Sequence, residues 1–230
     1  MLAALALVCA SETVHAADLP AGFVRLSDID PSIRQDIRYA GSDNFLGRPV
    51  AGYGAPRCIL TRQAAEALAA VQAALKAEGR TLVVFDCYRP RRAVLDMLSW
   101  ARQGTAADPQ WHPGVRRDRL VAEGYIAGRS AHSRGSTVDL AIAPLDEKGA
   151  APDPACGTRG ARTLDFGTGF DCFAPESATA SQAVPPAARR NRRDLTALMK
   201  KAGFRNYARE WWHFGLVGEP FRKAFDFPVE

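Results

Sequence analysis

The chain has 230 residues, 30 Lys plus Arg against 25 Asp plus Glu, and a formal charge of +5. With 47% hydrophobic and 24% charged residues it has the composition of a soluble globular protein, which excludes global disorder, and its length accommodates one sizeable core or two small ones. A pI of about 9.1 favours anionic surroundings, but no dense Lys/Arg array with interleaved aromatics points to nucleic acid.

Leu2 to Cys9 is a short apolar run, too short to span a bilayer, and Val14-His15-Ala16 follows with small residues in an A-x-A-like cleavage pattern. Residues 1–16 therefore read as a secretory signal peptide, although the basic n-region is missing. Residues 17–230 then form a single exported domain, periplasmic or extracellular, with no later membrane span. Cleavage removes Cys9 and leaves Cys58, Cys87, Cys156 and Cys172, an even number that in an exported chain points to disulfides. None has C-x-x-C spacing, so a zinc–thiolate site is not expected.

A short helical turn is expected within Leu26 to Tyr39, with Asp30-Pro31 as its N-cap and first residue. Asn44 to Pro56 reads as a loop. Thr61 caps a helix over 62–78, with Ala65, Leu68, Val71, Ala74 and Leu75 on one face and Gly79 as its stop. Thr81 to Asp86 is an apolar run of β-formers, so a buried strand, and Pro90 starts a second helix reaching about Trp100. Residues 103–118 look like a surface excursion. Val138, Leu140 and Ile142 alternate with Thr137, Asp139 and Ala141, a strand with Asp139 on the face opposite the aliphatics. Residues 144–187 form a long loop. A third helix spans about 188–202, its cluster of Arg189, Arg190, Arg192 and Arg193 solvated, and Gly203 ends it. Phe204 to Tyr207 and Trp211 to Val217 close the chain as strands. The pattern is α+β: a small, mainly antiparallel sheet with helices packed on it.

Four histidines are present. His15 leaves with the signal, and His112, in a Trp-His-Pro-Gly excursion, reads as exposed. His132 sits in a Ser/Gly-rich turn seven residues before Asp139, so the turn can bring an imidazole nitrogen and a carboxylate oxygen to one point. That pair suits a borderline ion such as zinc, while the bland alternative is a loop His and a backbone-capping Asp. His213 lies in Glu210-Trp211-Trp212-His213-Phe214. On an ideal strand Glu210 and His213 point to opposite faces, so they converge only through a bulge or turn. With that convergence, His132, Asp139 and His213 make three protein ligands with an open position, the catalytic zinc pattern, and Glu210 becomes a candidate general base. Asp86-Cys87-Tyr88-Arg89-Pro90 places Arg89 at a strand end, where a guanidinium can face a developing oxyanion or simply pair a carboxylate.

The His-x6-Asp loop, the Glu-Trp-Trp-His segment and the Tyr-Arg-Pro turn, in this order, resemble the VanX-type D-alanyl-D-alanine dipeptidases, zinc peptidases related to VanY-type D,D-carboxypeptidases. Ile37-Arg38-Tyr39, Asn44-Phe45-Leu46-Gly47, Asp165 to Asp171 and Phe225-Asp226-Phe227-Pro228 extend the likeness over nearly the whole mature chain. The resemblance implies one zinc per chain on His132, Asp139 and His213 at the centre of the sheet, Glu210 as general base and acid, and Arg89 as stabiliser of the tetrahedral intermediate. It also implies that Ser130, Tyr39 and Asp171 hold the ammonium of a small dipeptide substrate. The signal peptide and cysteines depart from cytoplasmic members and suit salvage of wall-derived dipeptide. Two rivals remain: a D,D-carboxypeptidase acting on longer wall peptides, and a non-catalytic wall-binding module that kept the zinc. Four cysteines allow three pairings. Cys156 and Cys172 share one loop and are expected to join, and Cys58 reaches Cys87 if their segments lie side by side.

Overall fold

The computed structural model describes residues 19–230. The expected signal peptide, residues 1–16, lies outside the described residues. In chain order the strands are β1 (Phe23–Arg25), β2 (Arg34–Gln35), β3 (Ile59–Thr61), β4 (Arg80–Asp86), β5 (Thr137–Pro144), β6 (Phe204–Asn206) and β7 (His213–Leu216). The helices are α1 (Leu26–Ile29), α2 (Arg62–Lys76), α3 (Arg91–Ala101) and α4 (Pro186–Lys201). Five strands form the main sheet in the order β2-β4-β5-β7-β6, and only β2–β4 is a parallel pair. β1 and β3 form a separate antiparallel ribbon. The α+β expectation with a mainly antiparallel sheet describes this architecture.

The central strands β4 and β5 are buried almost throughout, all eight residues of β5 included, because elements cover both faces. α2 lies where its apolar stripe predicts, except that Ala74, expected on the buried face, is exposed. Thr61 Oγ1 accepts from the Ala64 N–H at 3.4 Å, and Ala64, Ala65, Leu68, Val71 and Leu75 go to the core. Gln72 is buried in the same stripe because its amide is fully used: Nε2 donates to Ser32 O and Thr81 Oγ1, and Oε1 accepts from the Leu82 N–H at 2.8 Å. Gly79 then turns the chain into β4 with φ +68°, the left-handed region.

Three local expectations need correction. α1 precedes Asp30-Pro31 instead of starting there. Asp30 Oδ1 accepts from the backbone and hydroxyl of Ser32, at 2.9 and 2.6 Å, so its side chain builds a turn and competes with helix. His112 is 2% exposed, not a surface residue. The excursion and its continuation, residues 103–128, join the main core through Trp111, Leu120 and Ile126, and His112 Nδ1 lies 2.8 Å from Val115 O. Arg192 is 1% exposed and threads inward, unlike Arg189, Arg190 and Arg193, which are exposed or half-buried. Its guanidinium donates to the carbonyls of Phe166, Glu176 and Ala178, each at 2.8 Å, and stands near the Trp211 ring. Burial lowers its pKa to about 10, still well above neutrality.

Both disulfides join as expected, Cys58 to Cys87 and Cys156 to Cys172, with Cα atoms 5.3 and 5.2 Å apart. The first does not link paired strands: β3 and β4 belong to different sheets, and the segments meet through the Tyr88 N–H donating to Ile59 O at 2.9 Å. The second pins the long loop, which is irregular apart from a 3₁₀ turn at Pro175–Ser177.

Arg192→Met removes the donor for three carbonyls at once and is expected to cost about 3 kcal/mol or more in urea unfolding. Arg193→Met on the same helix is expected to stay within about 0.5 kcal/mol. Equal effects at the two positions would contradict the buried role.

Candidate active site

Strand register assembles the site. Asp139 on β5 lies directly opposite His213 on β7, and on its other side opposite Asp86 at the irregular end of β4. Residues opposite one another in adjacent strands present their side chains to the same face, so one row across three strands carries all three groups. His132 arrives from above, on the 3₁₀ turn Ala131–Arg134. That turn closes at Gly135 with φ +81°, where a Cβ would lie 2.1 Å from the Phe23 ring. Only glycine fits there.

The donor atoms converge closely. His132 Nε2 is 3.3 Å from Asp139 Oδ2 and 3.3 Å from His213 Nδ1, and His213 Nδ1 is 3.0 Å from Asp139 Oδ1. His132 Nδ1 lies 2.7 Å from the Cys87 carbonyl, which can only accept. The N–H is therefore on Nδ1 and the Nε2 lone pair points into the cluster. Asp139 is 2% exposed, yet its Oδ1 receives no hydrogen bond among the described residues. Burial would push its carboxyl up, but the two imidazoles outweigh it and hold the group well below the usual carboxylate range. Two imidazoles and a buried carboxylate converging in this way are the donor set of a divalent metal ion, and His132, Asp139 and His213 fit one.

Glu210 reaches the cluster through a turn. The His213 N–H donates to Glu210 O at 3.2 Å, so β7 begins only after the turn has folded back, and Glu210 Oε2 lies 3.5 Å from His213 Nδ1. This resolves the opposite-face problem that an extended segment would pose. Burial, with Asp139 beside it and against the pull of His213 and Arg89, raises the Glu210 pKa from 4.5 to about 7. Arg89 lies on the other flank. Its Nε and Nη2 both bind Asp86 Oδ2, at 2.9 and 2.8 Å, and Nη2 is 3.7 Å from Asp139 Oδ2. Among the described residues Nη1 meets only the Met97 thioether, at 3.7 Å, and so keeps donor capacity for the cavity.

Asp86 was given no role by sequence reasoning, yet it organises this flank. Fully buried, it accepts from Arg89 and from the Tyr53 hydroxyl at 2.5 Å, and it stands 3.4 Å from His132 Nδ1. The available signal was an acidic residue ending an apolar strand, since a carboxylate there needs partners.

Tyr39 and Asp171 meet as the resemblance implies. The Tyr39 hydroxyl donates to Asp171 Oδ2 at 2.7 Å, leaving Oδ1 for the cavity. Asp171 has φ +59°, an uncommon conformation for a non-glycine residue. Burial, then the charges of Asp139 and Glu210, push its carboxyl well above the usual range, so a cation is its natural partner. Ser130 lines the same cavity as the residue before the His132 turn, but among the described residues no hydrogen bond joins it to Tyr39 or Asp171. The cavity, about 330 Å³, is bounded by all eight expected site residues.

A cleft that gathers a three-ligand metal cluster, a flanking carboxylate and an arginine is equipped for hydrolysis at a carbonyl, the chemistry of metallopeptidases. The chain belongs to the peptidase M15 family, whose model, described as D-ala-D-ala dipeptidase, matches residues 20–230. It is 35% identical over 212 residues to a D-alanyl-D-alanine dipeptidase of Enterococcus faecium, covering 91% of this chain and 98% of the relative. It is 37% identical over 210 residues to one of Streptomyces coelicolor, covering 90% and 98%. A D-alanyl-D-alanine dipeptidase of Escherichia coli K12 is 34% identical over 193 residues, covering 84% and 83%.

The raised pKa of Glu210 has a consequence for metal-free protein. Between pH 4.5 and about 7 the folded state holds a proton at Glu210 that the unfolded state releases. Its contribution to stability is therefore lost as pH rises through that window. In chelator, the stability of Glu210→Gln relative to wild type is expected to improve by on the order of 3 kcal/mol from pH 4.5 to pH 8. A difference that does not change with pH in urea titrations would contradict this environment for Glu210.

Proposed function

We propose that the chain is a zinc-dependent dipeptidase hydrolysing D-Ala-D-Ala to two molecules of D-alanine. The observation that carries this reading is the convergence, in one cavity, of a metal-ligand cluster with a second, separate carboxylate suited to a free ammonium. His132, Asp139 and His213 hold the ion. When bound, zinc supplies Lewis-acid polarisation and brings the pKa of a water to roughly 7.

The chain's own residues do the rest. Asp171 Oδ1 receives the substrate ammonium, with Tyr39 fixing the carboxylate's orientation and Ser130 completing the wall. A cation arriving there offsets the burial that pushes the Asp171 carboxyl upward in the free protein. Glu210, as carboxylate, accepts a proton from the attacking water and returns it to the leaving amine. Arg89 keeps its charge because Asp86 offsets the cost of burial, and its free donor faces the oxyanion that forms at the scissile carbonyl. Cys87 and Asp86 hold His132 and Arg89 in these orientations.

We also place the enzyme outside the cytoplasm, in the periplasm or beyond, acting on wall-derived dipeptide. Two disulfides support an oxidising compartment, and no helix among the described residues is long and apolar enough to cross a membrane.

Zinc-loaded protein is expected to cleave D-Ala-D-Ala, to spare L-Ala-L-Ala and to spare Nα-acetyl-D-Ala-D-Ala. Glu210→Ala is expected to keep zinc and lose roughly 10²–10⁴-fold in turnover. Equal rates on free and acetylated dipeptide would instead favour a carboxypeptidase. Near-normal turnover by Glu210→Ala would remove it as the base.

A further inference from the structure

We propose that Tyr125, braced from outside by Arg209, is the wall that sets the size limit at the amine end of the cleft, so that primary amines are accepted and bulkier cationic amines are not. The inference rests on the assignment of Asp171 as the ammonium site and specifies what surrounds that ammonium.

The segment Gly124 to Ala127 lines the cavity, as do Tyr207 and Glu210. Beyond Asp171 the boundary is a run of aromatic rings. Tyr39, which binds Asp171, packs edge-on against Phe45 with centroids 6.0 Å apart. Phe45 packs on Phe173 at 5.0 Å, and Phe173, two residues after Asp171, meets Tyr125 at 5.6 Å. Tyr125 is the member of this run that comes from the excursion, away from the sheet. Its local anchors are backbone bonds: its own N–H and that of Ile126 both donate to Leu120 O, at 2.9 and 3.2 Å.

Arg209 supplies the missing brace. It is exposed, adjoins Glu210 in sequence, and lays its guanidinium over the Tyr125 ring, 5.1 Å from the centroid. It also passes close to Gly124, where a Cβ would come 3.3 Å from Nη1 and where φ is +80°. The contact therefore ties this segment to the turn that carries the general base. On this reading an ammonium seated on Asp171 faces this wall, since Tyr125 and Asp171 line one cavity and Phe173 stands between them in the ring contacts. A substituent on nitrogen must displace Tyr125, whereas the charge at Asp171 is indifferent to a substituent that leaves the nitrogen cationic.

Charge and size can thus be separated. Nα-isopropyl-D-Ala-D-Ala keeps the cation and adds bulk, and Nα-acetyl-D-Ala-D-Ala loses the cation. The readout is the ratio of kcat/KM for each derivative to kcat/KM for D-Ala-D-Ala, measured with metal-loaded enzyme. Tyr125→Ala is expected to raise the isopropyl ratio about tenfold or more, the scale on which an apolar pocket discriminates. Arg209→Met, a surface change that leaves the fold unburdened, is expected to raise it by a smaller factor, and Tyr125→Phe, which keeps the ring, to leave it at the wild-type value. The acetyl ratio is expected to stay low in every variant, because Asp171 still lacks its cation. An isopropyl ratio unchanged in both Tyr125→Ala and Arg209→Met would overturn the wall while leaving the dipeptidase reading intact. A wild-type acetyl ratio near one would overturn both.

Discussion

Three lone-pair donors face one another in the middle of this protein, and most of its architecture exists to hold them there. Left alone, a buried carboxylate with an unsatisfied oxygen is expensive, and Asp139 Oδ1 is such an atom. The sheet gives it no escape, since the register of β4, β5 and β7 sets Asp86, Asp139 and His213 in one row. His132 is held by its own N–H on the Cys87 carbonyl, so its remaining nitrogen can only point inward. Binding a cation converts this unfavourable grouping into a favourable one, which ties stability and metal affinity to the same atoms.

Electrostatic balance around the cluster follows from the same constraint. Asp86 and Asp139 bring negative charge into the interior, and Arg89 answers it, held to Asp86 at 2.8 and 2.9 Å. Tyr53 occupies the other Asp86 oxygen. The two carboxyls that titrate upward, Glu210 and Asp171, line the cavity beside the cluster.

Helices α2 and α3, the strands β4 and β5 and the loop after them were legible because their signals are local: a stripe at helical period, a Thr cap, a Pro start, a run of β-formers. The convergence of His132, Asp139 and His213 as a candidate metal site was legible through motif order, since imidazole and carboxylate are scarce in such settings. What escaped depends on distant partners. Arg192 looks solvated in an arginine cluster, and only the carbonyls of Phe166, Glu176 and Ala178, brought from the long loop, make it a core residue. His112 is buried where the excursion packs back on α3, its ring 6.2 Å from that of Trp100. Asp86 acquires its role from Tyr53 and His132, 33 and 46 positions away in sequence. The turn that brings Glu210 to His213 is set by backbone bonds invisible to residue type.

The most direct measurement of the central claim is metal content by elemental analysis, joined to X-ray absorption at the metal edge, on folded wild type and Asp139→Asn. The account predicts one zinc per chain in wild type, ligated by two imidazole nitrogens and a carboxylate oxygen, and a large loss of zinc in Asp139→Asn with the fold retained. Full zinc retention by Asp139→Asn, or a wild-type spectrum showing sulfur ligation, would contradict it.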